Sequence, residues 1–163
     1  MAKIITKVGI EEDGKIIVHP GEFDEIKPVI FDNGASSDKL FIVKDGDEEH
    51  IVLITSEAAD GYERYGAIHR ISLINKNCIA VSDYDERHGE KWALIRTFTL
   101  DEITDYSYDS IGLIDEDLYL TKKAGRFGVI DKNGSVILPN EFKEIAYESA
   151  HNAFTVKLWT SDE

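Results

Sequence analysis

The side chains able to do chemistry are few and scattered. The five histidines are His19, His50, His69, His88 and His151, and Cys78 is the sole cysteine. A protein-held transition metal needs several His, Cys or carboxylate ligands at short, regular spacings, and none of these residues forms such a pattern. His50 and His88 each follow acidic residues, a setting that could serve a metal or an acid–base pair. Neither has a second ligand at a diagnostic spacing, so both read as exposed loop histidines. No glycine-rich run could cradle a phosphate, and no serine sits in a nucleophile elbow. Cys78 lies in the alternating stretch "NKNCIAVS", which predicts a buried structural thiol. A single cysteine also excludes an internal disulfide. The carboxylates are too numerous for one pair to stand out as general acid and base. The residues therefore predict no catalytic group, no cofactor and no metal.

The carboxylates matter collectively. The 163 residues hold 32 Asp and Glu against 18 Lys and Arg, a formal net charge of −14. Such a surface repels nucleic acid, which is bound through cations that displace counterions. It also repels anionic membranes, and it draws in basic proteins. Solubility alone is the competing explanation for the acid. The acid is nevertheless concentrated. Asp45, Asp47, Glu48 and Glu49 follow "FIVK"; Asp83, Asp85, Glu86 and Glu90 follow "CIAVS", with Tyr84 among them. An aromatic among charges is a common interface anchor. These nine residues are the candidate partner-binding site. The competing reading is that they are merely solvated loops. A third cluster, Asp115, Glu116 and Asp117, precedes "LYLTK".

The elements that must position these loops are strands. Period-2 alternation dominates, with β-branched and aromatic residues at the repeating positions. Expected strands cover residues 4–10, 15–19, 40–44, 50–55, 77–82, 91–97, 118–122, 126–131, 135–138 and 153–158. Turn signals such as "EEDG", "KDGD" and "KNG" separate them. "DEITDYSYD" and "NEFKEIAYESA" are compatible with short helices. No Pro/Ser-rich linker divides the chain, so residues 1–163 read as one domain.

Three markers recur in one order. An aromatic–acid–hydrophobic patch appears at Phe23, Tyr62, Tyr108 and Phe142. A short strand follows each patch, and in the first three units a loop and a second strand come next: "HIVLI", "KWALI", "RFGVI". Both acidic loops occupy the same slot of consecutive units, and the third unit has "KKAGR" there. Phe23, Tyr62, Tyr65, Tyr108 and Phe142 are expected as wedges between units. The last unit stops early, while the N-terminus supplies a surplus hairpin. The expectation is an all-β fold of about four antiparallel β-meander repeats, propeller-like or otherwise closed, with the N-terminal hairpin pairing to residues 153–158.

The stretch "GRFGVIDKNGSVILPNEFKEI" resembles the WG β-repeat, whose units run Gly-x-Trp-Gly, a hydrophobic pair, Asp-x-x-Gly, an apolar strand, Pro, then an aromatic–acid patch. Phe127 takes the Trp position, followed by Gly128, Asp131, Gly134, Pro139 and Phe142. Trp92 takes it in the preceding unit, with Ala93 for Gly, and "HIVLI" has lost both. The resemblance implies an interaction scaffold rather than an enzyme, of a kind found mostly in bacterial proteins and in part at toxin–immunity loci. Together with the charge, it implies an immunity-type inhibitor that covers a basic partner, plausibly a toxin nuclease domain. A regulatory or structural scaffold is the alternative. No signal-peptide-like or membrane-spanning run is present, so the expected location is the cytoplasm. Net charge far from zero favours a monomer.

Overall fold

The computed structural model describes residues 3–5, 9–12, 14–19, 21–115 and 117–159. Among these the chain forms β-strands only, arranged in four antiparallel sheets. The first sheet is β1 (Lys3–Ile5), β2 (Ile10–Glu12) and β3 (Lys15–Val18). The second is β4 (Glu25–Ile30), β5 (Ser36–Asp45), β6 (Glu48–Ile54) and β7 (Tyr62–Ile68). The third is β8 (Ile71–Ile74), β9 (Cys78–Asp85) and β10 (Gly89–Arg96). The fourth is β11 (Ser110–Asp115), β12 (Leu118–Lys123), β13 (Arg126–Asp131), β14 (Val136–Glu148) and β15 (Ala153–Leu158). Each sheet is a meander in which sequence neighbours pair.

The sheets stack face to face, and alternation along single strands shows how. On β5, Leu40 joins a core shared with the third sheet, while Phe41 and Val43 join one shared with the first. On β6, Ile51 and Leu53 face the third sheet, and Val52 and Ile54 the first. On β9 and β10, Ile79, Val81 and Ile95 face back to the second sheet. Cys78, Ala80, Trp92 and Leu94 face forward to Ile111, Tyr119 and Ile130 of the fourth. Central strands buried on both sides read as continuous apolar runs, as "LFIV", "IVLI" and "CIAV" do.

The pairing registers bear out the repeat. Ile51 pairs with Tyr65, Trp92 bridges Tyr108, and Phe127 pairs with Phe142. The position that the WG signature gives to Trp therefore always meets an aromatic on the strand that follows. In the third unit this strand is reduced to two bridges, Trp92 to Tyr108 and Ile95 to Glu102. The wedge expectation fits four of its five residues; Phe142 is half-buried and belongs to none of the cores between sheets. Phe23 is buried, and Tyr62, Tyr65 and Tyr108 pack partly buried against cores between sheets.

Several expectations need correction. The strand starting at residue 135 does not stop at Pro139: β14 continues to Glu148, through one of the stretches compatible with helix. Between Val129↔Leu138 and Phe127↔Phe142, β14 carries two more residues than β13, and Pro139 sits in this bulge, where its missing N–H is not needed. Gly128 faces the bulge; a Cβ there would lie 2.7 Å from the Leu138 carbonyl oxygen and 2.9 Å from Pro139 carbon. The "WG" glycine is thus a close-approach position. The other stretch compatible with helix, residues 101–109, holds the two bridges instead. Residues 4–10 are not shown as one strand: β1 ends at Ile5, β2 begins at Ile10, and residues 6–8 lie outside the described set.

The expected ladder between the N-terminal hairpin and residues 153–158 is not among the described pairings. β15 bonds β14, and β1–β3 form their own sheet. Only residues 19–24 connect β3 to β4, and Ile10 and Val18 bury themselves against Phe41, Val43, Val52 and Ile54 of the adjacent sheet. This short tether and apolar contact place the hairpin on the second sheet.

Candidate functional site

Both acidic loops are hairpin turns in the same slot. Asp45–Glu48 joins β5 to β6, Asp85–Gly89 joins β9 to β10, and Lys123–Arg126 joins β12 to β13. The segment between β7 and β8 connects the two acidic turns. Ile68 pairs with Glu49 beside the first turn. The next residue, His69, stacks on Tyr84 with ring centroids 5.5 Å apart. Its Nε2 lies 3.6 Å from Glu90 Oε2 on the second hairpin. The turns therefore share one edge of the stack.

The nine predicted residues differ in what they do. Asp45, Asp47, Glu48, Asp83, Tyr84, Asp85 and Glu86 are exposed, Tyr84 at 54%. Glu49 is half-buried on β6. Asp83 accepts its neighbour's N–H from Tyr84 at 2.9 Å. Asp85 shapes its own turn: Oδ1 accepts the N–H groups of Arg87 and His88 at 2.8 and 2.6 Å, and Oδ2 lies 3.2 Å from His88 Nδ1. The backbone N–H of His88 chiefly lowers the Asp85 pKa.

Glu90 turns inward. Its carboxylate takes a two-pronged contact from the Arg70 guanidinium and a 3.0 Å bond from the Ser82 hydroxyl. The Arg70 hydrogen bond is the main reason its pKa falls to about 2, with Ser82 and His69 adding to it. Arg70 also lies over the Trp92 ring at 5.6 Å. Glu90 thus ties Arg70, just before β8, to the β9–β10 hairpin and holds its guanidinium over the buried Trp92 ring.

The patch acids, which the sequence showed only as a marker, have a role of their own. Asp24 Oδ2 accepts the N–H of Gly46, in the β5–β6 turn, at 2.7 Å. Asp109 Oδ2 accepts the N–H of Ala124, in the β12–β13 turn, at 2.9 Å. Backbone bonds repeat too: Asp24 N–H to the Lys44 carbonyl at 2.7 Å, and Asp109 N–H to the Lys122 carbonyl at 2.8 Å. Asp24 thus fixes the first acidic turn, and Asp109 fixes the β12–β13 turn in the same way. An ion pair with Lys91 is the leading cause of the lowered Asp109 pKa. The signal that could have found this role was the recurrence of an acid after Phe23 and Tyr108, read with the turn 15–22 residues downstream.

The histidine expectation holds for one of two. His88 is exposed beside Asp85. His50 is buried, 6% accessible, because Gly66 opposite has no side chain. A Cβ at Gly66 would come 2.3 Å from His50 Nδ1. His50 Nε2 reaches Glu48 at 3.4 Å, so one acid of the first turn partners a core histidine. Cys78 is buried as expected, and burial raises its pKa.

A hollow of about 290 Å³ opens beside the second turn, lined by Asp83, Asp85, His88, Lys91 and Tyr106 among others. Lys91 stands among two carboxylates there, and among the described residues no group of three or more His, Cys, Asp or Glu is placed to hold a metal ion.

A family model described as "WG containing repeat" matches residues 127–157, so the signature of that stretch is that of the family. No curated protein and no solved structure matches the chain. The matched repeat is the fourth sheet from Phe127 onward, while the acidic turns lie in the second and third sheets. WG repeats suggest a β-repeat module for protein interaction.

Proposed function

We propose that the chain is a non-enzymatic protein-binding module whose acidic turn edge docks a basic protein. The observation that carries the reading is the placement of the Asp45–Glu48 and Asp85–Gly89 turns on one edge, joined through His69, with Tyr84 exposed between charges. Like charges brought together on a rigid edge focus an attractive field for a cationic surface and accelerate encounter. In its most concrete form the module is a cytoplasmic immunity-type inhibitor. A toxin nuclease must expose a cationic groove to hold its substrate, and an acidic edge competes for that groove.

The test uses a basic protein, a nuclease domain in the immunity reading, that copurifies with the tagged chain from its native host. Asp45, Asp47 and Glu86 are replaced together by Asn or Gln, leaving Asp24, Asp85 and Glu90 to hold the turns. Association measured at low and high salt should slow by about tenfold or more at low salt, with the salt dependence flattened. Unchanged association rates would reject this edge as the docking site. A nuclease that is not inhibited at all would reject the immunity reading while leaving the module reading open to other basic partners.

A further inference from the structure

The cationic turn that interrupts the acidic edge has no use in the function proposed above. The β12–β13 turn carries Lys122, Lys123 and Arg126, in the slot where the two preceding hairpins carry acid. It stands on the same edge. Lys91, beside the second turn, lines the hollow there with Asp83, Asp85 and His88. Its ammonium pairs with the Asp109 carboxylate, whose other oxygen accepts the Ala124 N–H of the third turn at 2.9 Å. The edge thus runs from the Asp45–Glu48 turn through His69 to the second turn, and through Lys91 and Asp109 to the third.

Sign changes along that line. Asp45, Asp47 and Glu48 are exposed in the first turn; Asp83, Asp85 and Glu86 are exposed in the second and outnumber Arg87. In the third, Lys123 and Arg126 are exposed and Lys122 is half-buried. Each of these cations lies over an aromatic ring: Lys122 5.4 Å from the Phe127 centroid, Lys123 5.7 Å from Tyr108 and Arg126 5.6 Å from Trp159. A ring face holds a cation in place without cancelling its charge. Arg70 and Lys91, near the second turn, instead meet a carboxylate each. Among the described residues none of Lys122, Lys123 and Arg126 forms an ion pair, on a chain with 32 Asp and Glu. The turn is also held in shape, by the left-handed Ala124 and Gly125 (φ 53° and 81°) and by Asp109 from behind. Its neighbours decide what it can accept. A polyanion such as nucleic acid would have to cross the two acidic turns and is repelled. An isolated carboxylate on an otherwise cationic protein surface meets no such barrier.

We infer that the β12–β13 turn binds acidic side chains of the same protein that the acidic turns dock, so that the edge reads the order of charges along its partner as well as their sum. This rests on the acidic-edge reading above. Packed sheets lie about 10 Å apart, so the partner's carboxylates stand about 10 Å from the cations that meet the second turn and about 20 Å from those that meet the first. A surface that is basic throughout sets like charge against Lys123 and Arg126 and is penalised for it. The turn therefore selects among basic proteins and fixes the direction in which one docks.

Two synthetic peptides of one composition test this on the full chain. Lys-Lys-Gly-Lys-Lys-Gly-Glu-Glu matches the order of the three turns; Lys-Lys-Gly-Glu-Glu-Gly-Lys-Lys sets carboxylates against the second turn and lysines against the third. Extended, each reaches about 26 Å, enough to span the edge. Fluorescence anisotropy at about 20 mM salt, where screening is weak, should show the ordered peptide binding about fivefold tighter or more. Replacing Lys123 and Arg126 together by Gln should abolish that preference, with circular dichroism confirming an unchanged fold. The Asp45, Asp47 and Glu86 variant should weaken both peptides. Equal binding of the two peptides, or a preference that survives the loss of Lys123 and Arg126, would overturn the inference; the acidic edge itself would stand if its own variant still weakened both. Peptides that do not bind, or that bind the acid-depleted variant as well as the wild type, would remove the acidic edge and this inference with it.

Discussion

Replacing Glu90 by Gln should weaken the fold and not merely recharge its surface. The Arg70 guanidinium and Ser82 hydroxyl hold the Glu90 pKa at about 2, against an ordinary 4.5. At about 1.36 kcal/mol per pH unit, this corresponds to at most about 3 kcal/mol favouring the folded state. The Glu90 side chain is 20% exposed but Arg70 is 64% exposed, so solvent screens the pair and about 1–2 kcal/mol is the realistic contribution. The sign follows from the depressed folded-state pKa. The contribution is complete above the unfolded-state value near 4.5 and is lost as pH falls toward 2. Denaturant titration followed by Trp92 fluorescence is the assay, since Arg70 covers that ring. The variant should be less stable by about 1–2 kcal/mol at pH 7, about 2–8 °C in Tm. The difference should shrink between pH 4.5 and 2. Glu86→Gln, on the same hairpin but exposed, should change stability by less than about 0.5 kcal/mol. Equal stability of Glu90→Gln and wild type at pH 7, or a difference that persists undiminished at pH 2, would refute the assignment of Glu90 to the scaffold.

Two further substitutions probe the repeat. Gly128→Ala should cost about 1–3 kcal/mol in urea denaturation, because the new Cβ meets backbone of the β14 bulge and not a side chain that can rotate away. In the β12–β13 turn, Ala124 and Gly125 have φ of 53° and 81°, the two left-handed residues of a type I′ turn. Asn adopts that conformation more readily than Ala, so Ala124→Asn should raise stability by about 0.5–1 kcal/mol, read from the same titration.

The strands that the sequence did not show all lie at sheet edges, although the edge strands β3, β10 and β15 were legible. β5, β6, β9, β12 and β13 are flanked on both sides within their sheets, and their β-branched and aromatic runs were legible. β4, β7, β8 and β11 were missed, and each is an edge strand. An edge strand tolerates what a central one does not. β4 holds Pro28 opposite Phe41, with a register shift immediately after it. β7 places Gly66 within a one-residue bulge over His50. β11 contains Gly112 and a shift near its end. These residues weaken the alternation that betrays a strand, and they also stop the edge from recruiting another chain. The aromatic patches proved legible because packing between sheets fixes them. The burial of His50 was not, since it depends on a glycine 16 residues away that only the β6–β7 register brings opposite.

The site was legible as a concentration of charge, but not as a division of labour. Counting acids treats Asp24, Asp85, Glu90 and Asp109 as the equals of Asp45, Asp47 and Glu86. The first four accept hydrogen bonds within the chain, and such bonds lower the pKa of Asp85, Glu90 and Asp109. Their work is to fix turns. This changes what the surface acids can do. A loop that orders only on contact loses conformational freedom at that moment, and the loss is subtracted from the affinity. Turns held from behind by Asp24 and Asp85, and braced by Glu90 against Arg70, present Asp45, Asp47 and Glu86 in place before any partner arrives. Encounter, rather than loop rearrangement, then sets the association rate, and charge and salt act directly upon encounter. A variant that removes Asp24 should therefore slow binding without touching the partner, by loosening the turn that Gly46 anchors.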